Sequence, residues 1–182
     1  MSNKTIIYFV RHGSVDLKDG EAVEQDPPLN SNGRKQSVFL AKQFYDSNEK
    51  IDLILTSNMK RSIQTAEILC KKLAKKSTPF LDFGEFSRKF FNSSIFSFIF
   101  IKNFIKYKRA LKLFNKLLIE NKGKTMLLVI HGNVIRSLVG NKLNIPFKEM
   151  GKLGTNNAHI TRLTFIGNKL STLSYVNSKI LI

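Results

Sequence analysis

The stretch TMLLVIHGNVIRSLV, residues 125–139, decides the fold. Thr125–Ile130 is a near-continuous apolar run that reads as a buried strand. After His131-Gly132 the spacing changes to Val134, Ile135, Leu138 and Val139, one face of a helix. A buried strand running straight into a helix is the repeating unit of a parallel sheet. The same order appears at the start of the chain, where Thr5–Val10 is followed by Arg11, His12, Gly13 and Ser14.

Working outward, residues 18–31 are polar with Asp26-Pro27-Pro28 and read as a loop. Gly33–Asp46 fits a helix with Val38, Ala41, Phe44 and Tyr45 inward. Ile51–Leu55 is a second buried strand. Thr56, Ser57 and Asn58 offer caps for a helix to about Lys76, with Ile63, Ala66, Leu69, Cys70 and Leu73 inward. Thr78–Phe83 reads as a third strand. Phe104, Tyr107, Leu111, Phe114 and Leu118 recur at three- and four-residue steps, so Lys102–Asn121 is an amphipathic helix. Ala158–Ile166 and Leu170–Val176 alternate across Gly167-Asn168 as an edge hairpin. The sum is an α/β fold: a mostly parallel central sheet flanked by helices on both faces, with an antiparallel edge hairpin. At 182 residues it makes one domain.

Composition bounds what the chain does. It has 42% hydrophobic residues, enough for a core, and a single cysteine, Cys70, which excludes an internal disulfide and suits a reducing, cytoplasmic setting. No leader is expected from the polar Met1–Lys4 and the interrupted apolar run after it. The run Phe90–Ile101 is too short to span a bilayer. The net charge is +17, and residues 86–148 hold thirteen basic residues against one acid, Glu120. That excess raises anionic membrane or nucleic acid as partners, although a bias toward lysine and asparagine codons produces the same balance. The oligomeric state is not legible.

Chemistry concentrates at the two His-Gly strand ends. In open α/β sheets, groups just past the strand carboxyl ends line the ligand crevice, so neighbouring strands would bring His12 and His131 into one cleft. Arg11 adds a fixed charge there. Arg61 sits in the first turn of the helix after the second strand, where free backbone N–H groups favour an anion. Two arginines and two histidines converging repel one another unless an anion lies between them, and the guanidinium fork matches phosphoryl oxygens. His159, in an alternating strand, reads as structural.

These residues resemble the histidine phosphatase superfamily, the phosphoglycerate mutase-like group. Arg11-His12-Gly13 is similar to its signature. Residues 26–36, 56–66, 129–136 and 157–161 are similar to further motifs in the family order. The resemblance implies a phosphomonoesterase of the phosphatase branch, a hydrolase acting through a phosphohistidine on His12. Arg11, Arg61 and His131 would hold the equatorial oxygens, and Gly13, Ser14, Gly132 and Asn133 would line the substrate. It implies no metal or other cofactor. The expected partner is a small phosphorylated metabolite, such as a nucleotide-like or sugar phosphate.

Two departures stand out. The family's usual proton-donor glutamate before Phe83-Gly84 is replaced by Phe80, leaving Asp82 and Glu85 as nearby carboxylates, with Glu85 favoured because Gly84 lets the chain turn toward the cleft. The insert at about 86–124 matches no family motif and is expected to form a cap whose apolar face lines the cleft mouth, favouring substrates with a hydrophobic part. The missing glutamate also supports an alternative: a phosphate-binding or weakly active relative, or a protein phosphohistidine phosphatase, whose leaving group needs no acid.

Overall fold

A computed structural model describes residues 4–16, 25–92 and 98–179. Within them β1 (Lys4–Arg11), β2 (Leu53–Ser57), β3 (Ser77–Phe80), β4 (Thr125–Ile130), β5 (Ile160–Ile166) and β6 (Lys169–Ser178) form one six-stranded sheet in the order β3-β2-β4-β1-β5-β6. The pairs among β1 to β4 are parallel, while β5 runs antiparallel to β1 and to β6. Gly167, at φ 60, makes the tight turn between the last two strands.

Alternation along the central strands sends side chains to both faces, which is why these strands carry no polar side. Ile7 and Phe9 of β1, with Met126, Leu128 and Ile130 of β4, join one apolar cluster; Tyr8, Val10, Leu127 and Val129 join the other. The first cluster is covered by α3 (Phe98–Glu120) and α4 (Gly132–Lys142) through Tyr107, Phe114, Leu118, Val134 and Leu138. The second is covered by α1 (Ser31–Asp46) and α2 (Lys60–Leu73) through Leu40, Phe44, Ala66, Leu69 and Cys70. Phe114 is fully buried between Phe9 and Phe165. Burying such a ring contributes about 1.5–3 kcal/mol.

Several local expectations are corrected. On α1 Val38 and Tyr45 are exposed, and the buried positions are Gly33, Ser37, Leu40, Ala41 and Phe44. The N-cap of α2 is Met59, which makes no side-chain cap bond. Instead the Ser57 hydroxyl accepts from Met59 N–H at 3.2 Å, and the Asp26 carboxylate accepts from Lys60 N–H at 2.8 and 2.9 Å. That helix stops at Leu73, ahead of Ala74 at φ 51. The third strand ends at Phe80, and Leu81–Phe83 is a turn of 3-10 helix, so Asp82 lies outside any alternating strand. The long helix α3 begins at Phe98, taking in the end of the apolar run. Part of the 18–31 loop lies outside the described residues. No helix among the described residues is long and apolar enough to cross a membrane.

The Arg11–Ser14 segment lies directly on α1. A Cβ on Gly33 would sit 2.1 Å from the Ser14 carbonyl oxygen, and one on Gly13 would sit 2.4 Å from the Gly33 oxygen. Only hydrogen at both positions lets strand end and helix touch. Overpacking of this kind costs about 1–3 kcal/mol, and each kcal/mol moves Tm by about 2–4 °C at this size. Gly33→Ala is therefore expected to lower Tm by several degrees in a calorimetric scan. An unchanged Tm would mean that this contact is looser than described.

Candidate active site

Parallel pairing of β1 with β4 places Arg11 opposite Ile130, so the residues after the two strands leave the sheet side by side. The His12 and His131 rings lie 5.1 Å apart, centroid to centroid, at 61°. His12 is buried, and its Nδ1 is 2.8 Å from the Gly13 carbonyl oxygen. A carbonyl only accepts, so the proton is on Nδ1 and the lone pair is on Nε2. Arg61 Nε donates to that Nε2 at 3.2 Å. Burial, then Arg61, then Arg11 hold the His12 pKa down at about 3. The imidazole is neutral at neutral pH, with its nucleophilic nitrogen facing a guanidinium.

Arg61 enters from the first turn of α2 and is 4% exposed. It is fixed by the Gln25 carbonyl at 3.1 Å, the Met59 sulfur at 3.5 Å and the Asp26 carboxylate at 3.5 Å. Arg11, half-buried, donates through Nη1 to the Thr155 carbonyl at 2.7 Å.

His131 is fully buried at the start of α4. Its Nε2 is 2.8 Å from Ser57 Oγ and 3.3 Å from Ser62 Oγ. Either serine hydroxyl can give a proton to Nε2 or take one from it, so these contacts hold the ring in place with the proton on either nitrogen. The ring Nδ1 is buried with no partner in the protein. A buried polar nitrogen without a partner costs about 1–3 kcal/mol, and in the Nδ1–H tautomer an anion in the cleft removes that cost. Burial, then His12, Arg61 and Arg11, keep His131 well below the usual histidine range. The first N–H groups of α4 open at the same place.

The sequence profile of the histidine phosphatase superfamily (branch 1) matches residues 7–87 and 106–178. The chain belongs to the histidine phosphatase superfamily. It is similar to a probable phosphatase of Schizosaccharomyces pombe, 43% identical over 65 residues, covering 34% of this chain and 30% of that one. It is also similar to the mitochondrial serine/threonine-protein phosphatase Pgam5 of Drosophila mojavensis, 29% identical over 189 residues, covering 93% of this chain and 62% of that one. The chain thus spans less than two thirds of these relatives. A solved phosphoserine phosphatase of Entamoeba histolytica, in complex with 3-phosphoglyceric acid, superposes with a TM-score of 0.75 at 21% identity, covering 97% of this chain and 100% of that one.

Phe80, the residue expected to stand in place of a donor glutamate, is half-buried at the end of β3 and packed on Phe83. The two nearby carboxylates part company. Asp82 forms an ion pair with Arg109 of α3 at 2.7 Å, at the rim. Glu85 is buried, with Oε1 accepting from Phe86 N–H at 3.1 Å. Burial raises its pKa to about 6 against the opposing pull of that N–H and of Arg61, Arg11 and Arg136. It is a carboxyl poised to give up or take a proton near neutrality, within electrostatic reach of the same arginines that surround His12.

The residues flanking the histidines are largely committed within the protein. Gly13 N–H donates to Thr65 Oγ1 at 3.0 Å, and Ser14 gives both N–H and hydroxyl to Gln36 Oε1 at 2.9 Å. The Ser14 donors thus brace α1. Gly132 has room for no Cβ, with Thr155 Oγ1 at 2.9 Å. Asn133 donates to the Phe86 carbonyl at 2.8 Å and accepts from Arg136 at 2.9 Å, so it anchors the peptide that carries Glu85. Sequence reasoning missed Asp26, Ser57, Thr155 and Asn157, the last donating to the His12 carbonyl at 2.9 Å. Asp26, Ser57 and Asn157 fall in quoted motifs, but which side chain they meet depends on tertiary contacts. His159 turns its Nδ1 to the Asn157 carbonyl at 2.9 Å, a local bond that fits a structural role.

Because the folded His12 pKa lies below the unfolded one, the unfolded chain binds the extra proton first. Its contribution to stability is complete above about pH 6.5 and is lost as pH falls toward about 3. Nitrogen-15 shifts of the ring are expected to show the Nδ1–H tautomer, neutral throughout pH 4.5–8. A midpoint near 6.5 would show that the ring is solvated rather than enclosed by arginines.

Proposed function

We propose that this chain is a metal-independent phosphomonoesterase that works through a phosphohistidine on His12. The carrying observation is the aligned pair at the cleft: a neutral His12 with its Nε2 lone pair facing Arg61, and a buried His131 Nδ1 that has no protein partner. A phosphoryl group entering between them takes over the Arg61 donors and satisfies His131. Nε2 then attacks phosphorus in line with the leaving oxygen, while Arg11, Arg61, His131 and the start of α4 stabilise the equatorial oxygens. Among the described residues no three His, Cys, Asp or Glu side chains group as a metal would need.

Glu85 supplies the proton to the departing alkoxide, then, as the carboxylate, takes one from the water that attacks the phosphohistidine. Its position replaces the glutamate that Phe80 displaces. Asp82, engaged with Arg109, has no such role in this reading. The substrate is a small phosphorylated molecule, consistent with the ligands named for the structural relatives, phosphoserine and 3-phosphoglyceric acid.

A turnover screen over a phosphoester panel tests the reading, with His12→Ala as the inactive control. Wild type is expected to release phosphate from at least one class, and a silent wild type would leave a phosphate-binding relative. Arg61→Ala is expected to lose about 10²–10³ in rate, the scale for one donor to transition-state charge. A near-wild-type rate would place Arg61 outside the reaction.

Glu85 makes a second, separable expectation. The acid must be protonated in the free enzyme, so kcat/KM should fall tenfold per pH step above about 6 on alkyl phosphates. Glu85→Gln should lose that limb and about 10²–10⁴ in rate on the worst leaving groups, with little loss on aryl phosphates. An unchanged limb, or equal loss across leaving groups, would remove Glu85 as the acid.

A further inference from the structure

The helix α3 carries apolar residues on two faces. Tyr107, Ala110, Phe114 and Leu118 are spent in the core. Phe98, Ile101, Ile105, Lys108 and Lys112, at alternating steps of three and four, form a second stripe that the core does not use. The three apolar side chains that begin it are 78%, 50% and 54% exposed. Phe104, 37% exposed and stacked on Phe100 at 5.5 Å, widens the patch. Large apolar side chains exposed together, rather than singly, mark an interaction surface.

The α3 side chains turned to the cleft beside the candidate active site are a third set, Lys102, Lys106 and Arg109. The apolar cleft mouth expected from the sequence is therefore corrected, because the core and the outer stripe take the hydrophobic residues of the helix. These three basic groups share the cleft with Asp82 and Glu85, and the charge of the outer stripe does not depend on them. Lys108 and Lys112 are exposed and enter no ion pair among the described residues. Lys108 Nζ lies 5.3 Å from the centre of the Phe104 ring, so its ammonium borders the apolar patch. Lys116, one turn further on, is paired with Glu120 at 3.7 Å, and the surplus charge ends there.

The stripe from 98 to 112 is about 20 Å long. Its first half needs an apolar phase, and its second half needs anions at the edge of that phase. An anionic bilayer offers both within a few ångströms, since its headgroup charge lies directly above the acyl boundary. A second copy of the chain would bring the same lysines and a further +17 to the contact. A nucleic acid would match the lysines and leave Ile101 and Ile105 without an apolar partner.

We propose that the 98–112 face of α3 docks on the surface of an anionic lipid bilayer. Phe98, Ile101 and Ile105 enter the headgroup boundary, and Lys108 and Lys112 meet the lipid charges. The helix lies on the membrane and does not cross it, and salt weakens the contact.

The test is flotation of the full chain with vesicles of phosphatidylcholine alone or with about a third phosphatidylserine. Wild type is expected to float with the anionic vesicles, less as salt is raised, and weakly with phosphatidylcholine alone. Lys108→Gln/Lys112→Gln should lower the partition coefficient about fivefold for each lysine removed. Ile101→Ser/Ile105→Ser should lower it by about tenfold or more; both pairs are exposed, and an unchanged Tm checks that each variant is folded. The chain has no tryptophan, so Phe98→Trp supplies a single reporter, whose emission should shift to the blue on anionic vesicles. No flotation of wild type, a Phe98→Trp emission that vesicles leave unchanged, or an isoleucine variant that floats like wild type overturns the proposal. So does a dimer, or binding to a single-stranded oligonucleotide, that the isoleucine variant abolishes while vesicles go unbound.

Discussion

The parallel register of β1 on β4 is the constraint on which the site depends. With Val10 opposite Val129 and Arg11 opposite Ile130, His12 N–H donates to the Ile130 carbonyl at 3.0 Å, and both histidines emerge from the sheet at one level. A slip of one residue would turn every β1 side chain to the other face, exchanging Phe9 and Val10 between two cores that are each closed. Core packing thus fixes the distance between two imidazoles that belong to neither core. The surrounding glycines serve the same end, since Gly13 against Gly33 brings α1 within backbone contact of the strand end.

Electrostatic strain is concentrated where the packing is tightest. Burial, and then Arg61 and Arg11, hold both histidines neutral, and the buried Glu85 is raised rather than lowered because burial outweighs three guanidinium groups. Such an array is unfavourable empty and favourable around a phosphoryl dianion, which is the differential that transition-state charge stabilisation needs. Asn133, braced by Arg136, ties the 85–86 segment to the start of the helix that follows His131.

The strand ends were legible in sequence because their signals are local: an apolar run, then His-Gly, then helical spacing. Arg61 was legible only through convergence and resemblance, since nothing in its own segment distinguishes a cleft arginine from an exposed one. The choice between Asp82 and Glu85 turned on backbone that alternation does not describe: a 3-10 turn replaced the end of the expected strand and sent the two carboxylates to different neighbours. On α1 hydropathy chose Val38 and Tyr45, whereas Gly33 and Ser37 occupy buried positions because the strand end needs small residues there. For α3 the core stripe was plain, but which remaining face meets the cleft depends on where the helix crosses the sheet.

The central claim is covalent chemistry at one nitrogen of His12. The direct measurement is a rapid quench during turnover of a phosphorus-labelled ester, followed by mapping of the protein-bound label. The account predicts an acid-labile, alkali-stable phosphoryl group on His12, formed at least as fast as product is released. Normal turnover with no label on His12 at any quench time would contradict it.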